Sequence, residues 1–206
     1  MTPKIPEKLE LKGKIVTLRS LPQPESHQAM QKILSDPKTM QNLLYMAHQP
    51  KGWTMEQVEE RYRDFCEDAK KEKGIHFIVY SNETNEVLGN CGYTHLSLSH
   101  RFGRSGRIIH HPYWGRRIGT ECNLLTWEYG IEKLGLHRIE FSTFDDNVRV
   151  LKGAESLGIA VEGIQRENFY ENGRYRNSYL YVFFDRDWPK IKGKLQDKIK
   201  KQSGRG

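Results

Sequence analysis

Cysteine is scarce and shows no pattern: the chain has three, Cys66, Cys91 and Cys122. An odd number without any Cys-x-x-Cys spacing excludes a disulfide framework and a thiolate metal site, and points to a reducing compartment. Long apolar runs are missing too. No stretch approaches the ~18 apolar residues of a membrane span, and the opening MTPKIPEKLELKGK has no apolar core of a signal peptide. A cytoplasmic protein without a membrane partner is expected. Internal repeats are absent, and the one biased segment is the lysine-rich end.

Positive charge is plentiful but localised. The formal net charge is +7, yet residues 190–206 hold Lys190, Lys192, Lys194, Lys198, Lys200, Lys201 and Arg205 against the single acid Asp197, which leaves +1 for the rest. Such a run reads as a solvated helix end or a disordered extension, and less often as an arm that touches nucleic acid or acidic surfaces, appended to a domain spanning residues 1–189. The body has neither a recognition-helix motif nor a basic-aromatic stripe, so nucleic acid is not an expected partner.

What remains is enough for a core. A chain of 206 residues with ten Tyr, eight Phe and four Trp is a folded domain and not a disordered one. Residues 14–21, KIVTLRSL, alternate as a strand does. A helix follows from Glu25 to about Asn42, with a break at Asp36-Pro37. Thr54 and Gln57 form a capping box for a second helix that runs to Gly74, with Met55, Val58, Tyr62, Phe65 and Ala69 in one apolar stripe. HFIVYS and EVLGNCGYTHLSL read as an antiparallel pair. After the glycine-rich RFGRSG comes a strand, GRIIHH, stopped by Pro112. A helix with Ile118, Cys122, Leu125 and Tyr129 on one face leads directly into the strand HRIEFSTF. Strand, helix and strand in that order imply a right-handed crossover and a parallel pair. A short helix from Asn147 to Leu157, stopped by Gly158, precedes two strands around Asn172-Gly173.

The stretch HHPYWGRRIGTE, residues 110–121, joins a strand to a helix N-terminus, where unpaired N–H groups and the helix dipole favour an anion. Gly115 and Gly119 admit a ligand close to the backbone, Arg116 and Arg117 add charge, and Thr120 adds a hydroxyl. The same residues suit an ordinary turn with solvated arginines.

From Ile108 to Tyr181, HHPYWGRRIGTECNLLTWEYGIEKLGLHRIEFSTFDDN followed by ESLGIAVEGIQRENFYENGRYRNSYLY resembles the acetyl-CoA core of the GNAT N-acetyltransferases, in particular their RimJ/RimL-like branch. The resemblance extends over about residues 11–189. It implies a mixed α/β (α+β) fold, with a mostly antiparallel central sheet, helices on both faces and a splayed parallel strand pair. It also implies acetyl-CoA as cosubstrate, a primary amine acceptor (a small molecule or a peptide N-terminus), no metal, and a monomer or homodimer. Gly115, Arg116, Arg117, Ile118, Gly119 and Thr120 fall on the loop that binds the CoA pyrophosphate through its amides, and Asn147 falls on the residue that bonds the pantetheine arm. Asn147 also suits a helix N-cap. Trp114 and Arg117 depart from the loop's usual polar residue and middle glycine. With a helical, negative φ at Arg117, its amide still points at the phosphate. Val150 and Ala154 depart as well, the latter from a tyrosine that protonates the leaving thiolate. These departures favour an alternative, a catalytically impaired acyl-CoA sensor or interaction module.

The chemistry needs a neutral amine, a polarised thioester carbonyl and a proton acceptor. Candidates for catalytic roles are His110, His111 and Glu121, with His95 and Glu167 behind them, Glu121 being the better fit to an orienting hydrogen-bond acceptor. His110 and His111 are read at the end of the strand, where successive residues point to opposite faces, so only one of them faces the cleft. Acceptor pockets are expected from residues 42–53 and 166–177.

Overall fold

The computed structural model describes residues 5–43, 52–171 and 173–200. Its sheet consists of β1 (Glu10–Lys12), β2 (Val16–Ser20), β3 (Ile75–Ser81), β4 (Val87–Ser97), β5 (Phe102–Ile109), β6 (Arg138–Phe144), β7 (Ala160–Glu171) and β8 (Arg174–Phe184). The spatial order is β1-β2-β3-β4-β5-β6-β8-β7. All neighbours are antiparallel except β5 and β6, the pair that flanks the crossover. The mixed, mostly antiparallel sheet read from the sequence is the one found.

Helices cover both faces. On one lie α1 (His27–Ser35), α2 (Pro37–Met40) and α3 (Met55–Lys70). Met30, Ile33, Leu34, Val58 and Tyr62 pack there against Ile78, Tyr80 and Ile108 of the strands. Asp36 separates α1 from α2: Pro37 sets the first helical φ, and the Asp36 carboxylate accepts from Thr39 N at 2.9 Å. The capping box at Thr54 and Gln57 forms as read.

The opposite face carries α4 (Ile118–Glu128), α5 (Val148–Leu157) and α6 (Trp188–Lys200). Gly158, at φ 77°, ends α5 in the left-handed conformation that glycine adopts without a Cβ penalty. The helix α6 corrects the sequence expectation. Residues 190–200 are not a solvated tail: Trp188, Ile191, Leu195 and Ile199 recur at three- and four-residue steps and are buried. Its lysines ring this stripe, and Lys192 pairs with Glu128 and Glu132 at 2.5 and 2.7 Å. Residues 201–206, which include Lys201 and Arg205, and Asn172 of the expected hairpin turn lie outside the described residues.

Two boundaries also differ. The glycine-rich residues 102–106 belong to β5 itself, and β5 ends at Ile109, so both histidines lie beyond it, His110 as the N-cap of a short 3-10 turn and His111 as its first residue.

Candidate active site

The parallel strands are laddered only where Phe102–Arg104 meet Arg138–Glu140. Beyond that point they part, and a cleft of about 920 Å³ opens between Ser105–Ile109 on one side and Phe141–Thr143 on the other. His110 N donates to Leu88 O at 2.9 Å, and the same set of ladder bonds continues at Ile108 and Gly106 toward β4. Alternation then turns the N–H groups of Arg107 and Ile109 away from β4 and into the wedge. Strand divergence thus creates backbone donors facing a cavity, which suit a carbonyl oxygen that gains negative charge.

Side chains alternate across the same strand, so the cleft has two ends. On the α4 face, Arg107 donates to Asn123 Oδ1 at 2.7 Å and Ser105 Oγ accepts from Trp127 Nε1 at 2.9 Å. On the α3 face lie Gly106, Ile108 and, across the ladder from Ile108, Asn90.

The loop before α4 departs from the expected conformation in one respect. Arg117 has φ 63° and ψ −1°, left-handed and not helical, and it serves as the N-cap residue of α4; Gly115 is also left-handed, at φ 84°. The backbone therefore takes a turn that glycine would take freely and that costs an L-residue roughly 1–2 kcal/mol. Trp114 is drawn inward: its Nε1 donates to Ile109 O at 2.7 Å, and its ring carries the Arg149 guanidinium at 3.6 Å. Where a polar loop side chain was expected, an indole braces a cation on the rim.

Gly115, Arg117, Ile118, Gly119, Thr120 and Asn147 line the cleft together. Arg116 does not line it; it lies over the Tyr113 ring at 5.5 Å. The Asn147 side chain makes no capping bond; its amide donates to Thr143 Oγ1 at 2.9 Å. A Cβ at Gly119 would stand 3.0 Å from Arg107 Nε, so any larger residue there must push that guanidinium aside. Burial pulls the Arg107 guanidinium below the usual arginine range, opposed by Cys122 and Cys91 beside it, and it stays a cation at working pH.

The expected catalytic side chains are elsewhere. His110 and His111 do not line the cleft and do not face opposite ways; both reach Asp36, His111 Nδ1 at 2.7 Å and His110 Nε2 at 3.9 Å. Leaving the strand at Ile109 removed the alternation that would have separated them. Burial raises Asp36, but bonds from Thr39 and His111 outweigh it and bring the carboxyl down to about 2. These three side chains are the one group among the described residues with metal-ligand spacing. Its carboxylate oxygen is already engaged by Thr39 N, Thr39 Oγ1 and His111. Glu121 is buried at the base of α4, where its carboxylate accepts from the amides of Lys14, Ile15 and Val16 at 2.9, 2.7 and 2.8 Å. It orients β2, as a hydrogen-bond acceptor, and stands outside the cleft lining. His95 lines the cleft, whereas Glu167 is exposed on β7 and does not.

Sequence reading missed Arg107, Arg149, Lys152 and Lys198, cations that line the cleft with Arg117. The alternation of β5 could have flagged Arg107, since it lies opposite in sense to buried Ile108. Lys198 was hidden in the supposed tail.

The cleft between the splayed parallel strands thus opens at a left-handed turn and a helix N-terminus. A family model described as the acetyltransferase (GNAT) domain matches residues 16–160. The chain belongs to the GNAT acetyltransferases. Among curated proteins, this GNAT chain is 27% identical to the uncharacterized N-acetyltransferase YoaA of Bacillus subtilis, over 62% of its own length and 72% of the relative's. It is also 27% identical to the spermidine N(1)-acetyltransferase of Escherichia coli, over 63% and 73%. Among solved structures it superposes on a GCN5-related N-acetyltransferase from Brucella melitensis with TM-score 0.77 at 22% identity, covering 96% and 88% of the two chains. Spermidine N-acetyltransferase from Vibrio cholerae in complex with CoA and spermine gives 0.74 at 18% identity, covering 86% and 99%. The GNAT chain is an acetyl-CoA-dependent N-acetyltransferase. No helix among its described residues is long and apolar enough to cross a membrane.

His76, on β3 beside the cleft, gives a pH test of this GNAT fold. Burial, with Arg61 adding to it, pushes the imidazole from 6.5 down to about 3. The unfolded chain takes up a proton below about 6.5 and the folded one does not until about 3, so stability falls as pH drops through that window. Urea titrations are expected to lose ~2 kcal/mol between pH 7 and pH 5. In His76→Gln that slope should flatten; an unchanged slope in the variant would assign the loss to other groups.

Proposed function

We propose that residues 115–120 hold the diphosphate of acetyl-CoA, with the pantetheine arm running along the wedge past Asn147, and that the wedge amides of Arg107 and Ile109 polarise the thioester carbonyl. The observation that carries this reading is charge. Arg107, Arg117, Arg149, Lys152 and Lys198 line the cleft, and no Asp or Glu does. All 26 acids of the chain lie among the described residues, so no acid outside them is missed. A polyanion is what such a lining attracts.

The amine nitrogen attacks the carbonyl carbon, the C–S bond breaks, the nitrogen loses a proton to solvent, and CoA leaves as thiolate. Ala154 is buried and supplies no proton. A thiol of pKa near ~8.5 leaves without a dedicated acid. We assign the chain to the RimJ/RimL-like branch on the motif order from Ile108 to Tyr181, with a primary amine as acceptor and the cytoplasm as its place of action. The relatives named for spermidine and a solved ribosomal-protein-S5-alanine acetyltransferase from Vibrio fischeri (TM-score 0.74, 18% identity) support amine acetylation as the shared chemistry.

The sensor reading keeps one specific support, the cost of Arg117 in a glycine conformation. Release of free thiol from acetyl-CoA with a panel of amines separates the two. Gly119→Trp is expected to weaken acetyl-CoA binding by at least ~2 kcal/mol, since its side chain meets Arg107 and fills the space before the helix N-terminus. Calorimetry that finds unchanged affinity in a folded Gly119→Trp protein would remove the diphosphate from this turn.

A further inference from the structure

Buried polar atoms without partners gather at the α3 end of the cleft. Five of the six such atoms among the described residues are Trp53 Nε1, Arg61 Nε, Tyr62 OH, His76 Nε2 and Asn90 Oδ1. An unpaired buried polar atom is expensive, and three of these five belong to residues that line the cleft, Arg61, His76 and Asn90, where a ligand could satisfy them. Arg61, Phe65, His76 and Asn90 line the cleft there.

The Arg61 guanidinium is held by its faces. It lies over the Phe65 ring at 4.6 Å and the Trp53 ring at 5.8 Å, while Phe65 stacks on His76 at 3.6 Å. Aromatic faces hold a guanidinium but take none of its edge donors, and those edges match a carboxylate two bonds at a time. No carboxylate forms an ion pair with Arg61 among the described residues, which contain every acid of the chain. The one acid that acts on it is Asp64, which is exposed on α3. Asn90 Oδ1 offers the opposite chemistry, an acceptor without a donor, on the strand next to the wedge. Gly106 between them has nothing within 4 Å of where a side chain would begin, so the passage from this chamber to the wedge is open.

Resting on the acetyl-transfer reading, we propose that the acceptor is an amine that also carries a carboxylate, its carboxylate on the edge of Arg61 and its amine donating to Asn90 Oδ1 as it enters the wedge. A polyamine is the wrong ligand for this chamber. Its cations would meet Arg61 and find no acid in the lining.

The test uses matched acceptors: ω-amino acids and α-amino acids of graded length, each beside its own primary amide, with spermidine as the polycation. For the best acceptor, kcat/KM of the wild-type protein should favour the carboxylate over its amide by ~30-fold, as a charge-assisted pair does. In Arg61→Gln the preference should shrink to within ~3-fold, with the loss confined to the carboxylate member. A second arm needs no turnover: calorimetry of the N-acetylated amino acids and their amides, with CoA present, in wild type and Arg61→Gln. Acetyl transfer without carboxylate preference, or faster transfer to spermidine, overturns the anchor and leaves the acetyl-transfer reading intact. Carboxylate binding that depends on Arg61, with no transfer to any amine, keeps the anchor and overturns acetyl transfer. Equal losses on both members of a pair in Arg61→Gln reduce Arg61 to packing and overturn the proposal.

Discussion

Ending the chain after Pro189 is expected to yield no soluble, cooperatively folding protein. The truncation deletes Ile191, Leu195 and Ile199, exposed by 2%, 1% and 6% in the intact fold. Burying each of three such aliphatic side chains contributes about 1.5–3 kcal/mol, so together they approach the whole stability of an ordinary domain. The cut also uncovers Ala154 and Leu157 of α5 and removes the Lys194 bond to Leu157 O at 3.0 Å, which satisfies a carbonyl at the end of that helix. Lys198 and Leu195 disappear from the cleft lining at the same time. Expression, near-ultraviolet circular dichroism and a thermal scan check this. A truncated protein that melts within about 5 °C of the full chain would mean that α6 is an ornament and that its burial contributes almost nothing.

Glu121→Ala is expected to cost about 2–4 kcal/mol, because three amides, that of Val16 buried and those of Lys14 and Ile15 partly so, lose one acceptor at once. Lys14 N, Ile15 N and Val16 N converge on its two oxygens, and a Cβ at Gly13 would sit 2.5 Å from the Glu121 carboxyl carbon. Glycine at 13 is what lets the turn before β2 close over the carboxylate. Denaturant titration should show the full loss, with Glu121→Gln in between, since a carboxamide keeps one acceptor and turns a donor toward amides. Turnover per folded molecule should stay within a few-fold. A variant of near-native stability with turnover lost would return Glu121 to the list of groups that act on substrate.

Local signals were legible in the sequence. The capping box at Thr54, the left-handed stop at Gly158 and the crossover that forces β5 parallel to β6 each depend on residues adjacent in the chain. The turn that we propose holds the diphosphate was legible for the same reason, being one strand, one turn and one helix start. Histidines 110 and 111 were misjudged because a strand boundary shifted, and a shift of that kind cancels a period-two argument. The helix α6 was misjudged by composition. Its lysines dominate the count, while the four apolar residues that bury it are visible only by their spacing. The Arg61 chamber assembles α3, β3 and β4, and no stretch of sequence contains it. Residues 44–51 of the expected acceptor segment lie outside the described residues.

The short ladder between β5 and β6 makes the sheet two leaves joined at one end. At that end Arg104 reaches Glu140 across the seam at 2.6 Å, and Arg138 links Glu140 onward to Glu162 of β7 at 3.2 and 2.5 Å. Three register pairs and a chain of alternating charges form the spine, and among the described residues no ladder pair joins β5 to β6 beyond Arg104 and Glu140. A long ligand lying in the wedge touches both leaves where β5 and β6 are not laddered. It would act as a second clasp opposite the first, and the leaves would hold their angle by gripping it, so hydrogen exchange at the amides of Arg107, Ile109 and Ser142 should slow most when the wedge is filled.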